Sequence, residues 1–131
     1  MKAALSVTAA CILVVTISGA GSAHLRTAGK TTITAAGGPF PFTWAWDPAE
    51  VTVAPGDRVV WTNPTDAAHH ITAWDGKWDA AEHLDMGAKV SRRFKKPGVY
   101  KYWCDIFGHA DIVYVGDERI CVGMCGVITV E

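Results

Sequence analysis

Glu50-Val51-Thr52-Val53-Ala54-Pro55-Gly56-Asp57-Arg58-Val59-Val60-Trp61-Thr62-Asn63 is the stretch that sets the architecture. Val51 and Val53 alternate with Glu50 and Thr52, and Val59 and Trp61 alternate with Arg58, Val60 and Thr62. Period-two alternation is the signature of a strand with one buried face. Pro55-Gly56-Asp57 between the halves is a strong turn signal. The stretch therefore reads as strand, turn, strand.

The same grammar extends both ways. Upstream, Thr31 to Ala35 is β-branched and ends at Gly37-Gly38-Pro39, so it reads as a strand. Phe40 to Trp46 is aromatic and broken by proline, which suits an irregular edge strand or a loop covering one end of the core. Asp47-Pro48-Ala49 turns the chain into Glu50. Downstream, Pro64-Thr65-Asp66 is loop, His69 to Trp74 is extended, and Asp75-Gly76 is a turn. Trp78 to Met86 is the one stretch read as a helix. Lys89 to Phe94, Val99 to Cys104 and Gly126 to Val130 read as further strands, with a turn at Pro97-Gly98. Many short strands separated by turn signals predict an antiparallel sandwich. Trp61 and Trp103 fall in expected core strands.

The chain has 131 residues, enough for one domain and its core. Half of it is hydrophobic, and the formal net charge is -1. That balance argues against nucleic acid or an anionic membrane surface as the main partner. Arg92, Arg93, Lys95 and Lys96 surround Phe94, but strand alternation sends neighbours to opposite faces. They read as a solvated edge strand.

Residues 1–23 read as a signal peptide. Met1-Lys2 is a short positive start, Ala3 to Ile17 is apolar and uncharged, and Ser18 to Ala23 is small-residue rich. Cleavage after Ala23 is expected, with a retained anchor as the alternative. Residues 24–30 read as a flexible segment, and 31–131 as the folded domain. The expected location is outside the cytoplasm: periplasmic, extracellular or on the outer face of the membrane. Cleavage removes Cys11 and leaves Cys104, Cys121 and Cys125, an odd count for an exported protein. Cys121 and Cys125 can pair if their loop folds back, which leaves Cys104 free. A pairing that uses Cys104 is the alternative.

Tyr102-Trp103-Cys104-Asp105-Ile106-Phe107-Gly108-His109 places a thiol and an imidazole close together after a strand. Soft thiolate with imidazole suits copper, zinc or iron. With His69 upstream and Met124 downstream, four donor side chains are available to one ion.

The order of these pieces resembles the plastocyanin/azurin family of small blue copper proteins. The resembling residues are Asp47 to Asp57, Val60-Trp61-Thr62-Asn63, His69, Phe94, Pro97 to Cys104, His109 and Gly123 to Val130. Together they span roughly 31–131, and the pattern is most like that of the halocyanin and plastocyanin branch. The resemblance implies an all-β, cupredoxin-like Greek-key sandwich of about seven to eight strands, with copper at one end. It implies His69, Cys104, His109 and Met124 as metal ligands to one copper ion per chain. His70 would then point to the opposite face, and Asn63 and backbone amides near His70 would support the ligands. The departure is length: fourteen residues, Ala110 to Gly123, separate His109 from Met124 where the family has only a few. Asp111 to Ile120 reads as an added hairpin turning at Gly116-Asp117, and a Cys121–Cys125 disulfide would clamp the Met124 loop.

The implied function is one-electron transfer between Cu(I) and Cu(II), with no enzyme activity. The expected partners are redox proteins met through a weak, transient interface, near a membrane or away from it, with the chain a monomer. Copper storage or delivery, and a copper-free binding module, are the alternatives. The paired His-x-His motifs of multicopper oxidases are absent, and no histidine follows Cys125 to build a dinuclear centre.

Overall fold

The computed structural model describes residues 27–38, 43–78 and 81–131. The expected signal peptide, the first part of the expected flexible segment and Phe40 lie outside the described residues. Eleven strands follow in order: β1 (Lys30–Ala36), β2 (Ala45–Asp47), β3 (Glu50–Val53), β4 (Arg58–Thr62), β5 (His69–Ala73) and β6 (Ala81–Leu84) come first. Then come β7 (Lys89–Arg93), β8 (Gly98–Trp103), β9 (Ala110–Val115), β10 (Glu118–Gly123) and β11 (Cys125–Val130).

They form a four-stranded sheet, β2-β1-β4-β7, a five-stranded sheet, β3-β11-β8-β5-β6, and a separate β9-β10 hairpin. The fold class is the expected all-β sandwich, but not a purely antiparallel one: β1 pairs with β4, and β3 with β11, in parallel. The strand count exceeds the expected seven to eight because the hairpin adds two, and because β2 and β6 are short edge strands. Arg92 and Arg93 end the edge strand β7, as expected, while Lys95 and Lys96 lie in the loop beyond it.

The helix expected over Trp78 to Met86 is a correction. No helix occurs among the described residues. Residues 81–84 instead pair antiparallel with β5, His69 opposite Leu84 and Ile71 opposite Glu82. Leu84 is buried while Glu82 is not, so alternation against a neighbouring strand decides the segment. Local propensity is the weaker force in so short a piece.

The two sheets close on a common core. Ile33, Val59 and Trp61 come from the first, and Ile71, Tyr102, Ile128 and Val130 from the second. Trp61 meets Tyr102 edge-on at 5.5 Å between ring centroids, and Trp46 meets the same ring at 5.7 Å. Tyr102 lies over Gly126, its cross-strand partner, where any Cβ would overlap the phenol ring. Buried Asp57 fixes the far end of the barrel-like core. Its carboxylate accepts the Gly29 N–H at 2.7 Å and the Ala54 N–H at 3.0 Å. β1 begins at Lys30, one residue ahead of the expected domain start.

Candidate metal centre

β5 enters the core with His69 on its inner face, where the ring is fully buried. The residue before the loop, Asn63, makes this placement rigid. Its Nδ2 group donates to the carbonyls of Ala67 at 2.7 Å, Leu84 at 3.0 Å and Asp85 at 3.1 Å. Its Oδ1 accepts the Thr65 hydroxyl at 2.6 Å. With that proton committed, Thr65 Oγ1 can only accept from His69 Nε2, 2.9 Å away. His69 is thereby held with its proton on Nε2 and its Nδ1 lone pair turned inward.

Cys104 follows directly after β8. Its N–H donates to the Met124 carbonyl at 3.0 Å, and its Sγ accepts the His70 N–H at 3.2 Å. The chain then makes one tight turn, closed by the His109 N–H on the Ile106 carbonyl at 3.0 Å. This turn brings His109 back over the sulfur. The donor atoms form a compact triangle: His69 Nδ1 to His109 Nδ1 is 3.1 Å, Cys104 Sγ to His109 Nδ1 is 3.3 Å, and Sγ to His69 Nδ1 is 4.0 Å. One cation about 2.0 Å from each nitrogen and about 2.3 Å from the sulfur would hold such donors roughly 3.3–3.8 Å apart. The triangle fits a single ion to within a few tenths of an ångström.

Electrostatics agree with a site built for a cation. Burial lowers the His69 pKa to about 4, with help from neighbouring His109 and His70. Burial likewise lowers that of His109. Both rings are therefore neutral and free to ligate. Burial raises the Cys104 thiol, partly offset by the His70 and Ile106 N–H groups at its sulfur. A buried thiol of this kind loses its proton readily only to a metal.

Residues 41–131 match the sequence profile of copper-binding proteins of the plastocyanin/azurin family. The chain belongs to this family. No curated protein sequence matches it. Among solved structures it is similar to a purple cupredoxin from Nitrosopumilus maritimus, at 21% identity and TM-score 0.58, covering 76% of this chain and 98% of that one. A pseudoazurin from Methylobacterium extorquens AM1 is 25% identical with TM-score 0.52, covering 77% and 74%. A copper-containing nitrite reductase from Thermus scotoductus SA-01 matches at 19% and TM-score 0.54, over 78% of this chain but 22% of the reductase.

In this plastocyanin/azurin family member the long insertion is spatially neutral. β9 and β10 pair from Val115 opposite Glu118 down to Ala110 opposite Gly123. The feet of an antiparallel ladder sit about 5 Å apart whatever its length. His109 and Met124 are thus adjacent, and the Met124 N–H donates to the His109 carbonyl at 2.9 Å. Gly123 must be glycine: its φ is +100°, and a Cβ there would lie 2.7 Å from that carbonyl oxygen. Met124 is fully buried, tied through its backbone to both Cys104 and His109. Met86, by contrast, is 63% exposed. Cys121 and Cys125 are disulfide-bonded, with Cα atoms 6.0 Å apart, and Cys104 is the free, buried cysteine.

Two walls of the site were not assigned from sequence. Trp44 packs 5.0 Å from the His69 ring and 5.3 Å from the His109 ring, and Trp46 lies 6.0 Å from His69. Their i, i+2 spacing next to an edge strand was the available signal. Thr65 was read as loop, although an Asn-x-Thr ahead of a histidine can support a ring nitrogen. His70 faces away from the centre, as expected, and meets His83.

Proposed function

We propose that this protein is an electron carrier that works outside the cytoplasm through one type 1 copper ion held by His69, Cys104, His109 and Met124. The observation that carries the reading is the triangle of two Nδ1 atoms and one thiol sulfur, closed through the backbone onto buried Met124. A copper ion bound there supplies a Cu(I)/Cu(II) couple. The chain supplies rigidity. Asn63 and Thr65 fix His69, two N–H groups hold the Cys104 sulfur, and the hairpin feet hold His109 against Met124. Donors that do not move between oxidation states keep the reorganisation small.

The same geometry supports an exit route. His69 is sealed inside, whereas His109 is only half-buried, and Phe107, two residues before it in the same turn, is 99% exposed. An exposed apolar residue in the loop that carries His109 suits a brief, small contact with a redox partner.

The copper-loaded protein tests this. An intense visible thiolate-to-copper absorption and a reversible one-electron wave are expected, with Cys104→Ser abolishing the band. A protein that retains no copper, or a band that survives Cys104→Ser, overturns the reading.

A further inference from the structure

The outer face of β5 carries a second imidazole cluster. His69 points into the core, so His70 points out. β6 places His83 directly opposite His70 in the ladder. Their rings stand 4.9 Å apart, and His70 Nε2 lies 2.8 Å from His83 Nδ1. Each ring's other nitrogen meets a carboxylate. Asp105 Oδ1 is 2.6 Å from His70 Nδ1, and Asp85 Oδ1 is 2.9 Å from His83 Nε2. Four side chains from β5, β6 and the two turns that follow β6 and β8 form one line: Asp105, His70, His83, Asp85.

Hydrogen-bond bookkeeping gives this line a consequence. An ionised carboxylate only accepts, so each outer nitrogen carries its ring's N–H. A neutral imidazole has one such proton. Both inner nitrogens then present lone pairs to each other across 2.8 Å. An electron-pair acceptor between them removes the conflict. Two imidazole nitrogens bound to one zinc-like cation at about 2.0–2.1 Å sit roughly 2.9–3.4 Å apart, so the two rings need to part by only a few tenths of an ångström to admit one. Metal-bound histidines also typically donate their second N–H to a carboxylate, which fixes ring and tautomer. Here both rings have that support.

We propose that His70 and His83 form a second metal site, on the surface, for a divalent cation of the zinc and copper(II) class. Asp105 and Asp85 orient the two rings, and water completes the coordination. The site is open: His70 and Asp105 are each 37% exposed, His83 54% and Asp85 76%. It is distinct from the buried centre, being on the other side of β5. It nevertheless adjoins that centre, since the His70 N–H reaches the Cys104 sulfur and Asp105 follows Cys104.

Equilibrium dialysis of the purified protein against micromolar zinc, with metal counted per chain, tests the assignment. Two zinc ions are expected for the unaltered protein, one for His83→Gln and one for Cys104→Ser. Asp85→Asn, which keeps both imidazoles, should weaken the second site about tenfold with an unchanged circular dichroism spectrum. An equal count in the unaltered protein and His83→Gln overturns the proposal. So does a Cys104→Ser protein that holds none, the result expected if the rings share only a proton. One zinc in both the unaltered protein and Cys104→Ser, with none in His83→Gln, supports this site while failing the buried one.

Discussion

At the scale of single residues, the buried centre is governed by one tautomer. Thr65 holds the His69 Nε2–H, and burial keeps the ring neutral, with its pKa lowered to about 4. In the unfolded chain the same ring titrates near about 6.5. The native pKa is the lower one, so the contribution to stability is complete above the unfolded value of about 6.5 and is lost as pH falls from there towards about 4. Between pH 7.5 and 5.0 the metal-free protein should lose about 2 kcal/mol through His69 alone. His109 adds to the loss in the same direction. Urea unfolding at the two pH values measures it, and His69→Gln should flatten the difference. That His69, Cys104 and His109 would gather was legible in the sequence, because cysteine and histidine are scarce and stood in a telling order. Thr65, Trp44 and Trp46 were not. Their roles depend on which ring folds against them, and a linear pattern does not carry that information.

At the scale of elements, the β9-β10 hairpin is the informative case. Its turn at Gly116-Asp117 was readable, since Gly116 takes a positive φ of 63° there. Its effect on the centre was not readable, because length alone does not reveal that Ala110 ends opposite Gly123. The ladder predicts that its outer part is dispensable for metal binding. Replacing residues 113–120 with a two-residue Asn-Gly turn would join Ile112 to Cys121, which already face each other. The visible spectrum of the copper-loaded protein should be unchanged, and loss of the band would show that the outer hairpin shapes the centre. The segment 78–86 teaches the converse. Its composition permits a helix, but its apolar Leu84 and polar Glu82 pair in register with His69 and Ile71, and that pairing wins.

At the scale of the whole molecule, the centre ties together parts of the chain far apart in sequence: β5, the turn after β8, and the junction of β10 with β11. A ligand that binds only the folded arrangement stabilises it by mass action. Free metal at a hundredfold excess over its dissociation constant should add about 2.7 kcal/mol. For a domain of roughly 100 residues this raises the thermal midpoint by about 10–20 °C. A chelator should reverse the gain, and a midpoint indifferent to metal would show that the donors are not bridged. The parallel pairing of β1 with β4 has a different consequence. Lys30 lies opposite Arg58, whereas Thr34 lies opposite Thr62, next to Asn63 and the metal end. Glu131, bonded to Val53, also leaves from the Lys30 pole. A fusion partner or an electrode surface joined behind residue 131 is therefore held at the pole opposite His109. The mooring point and the His69-Cys104-His109 cluster face away from each other, so a molecule tethered there presents that cluster outward.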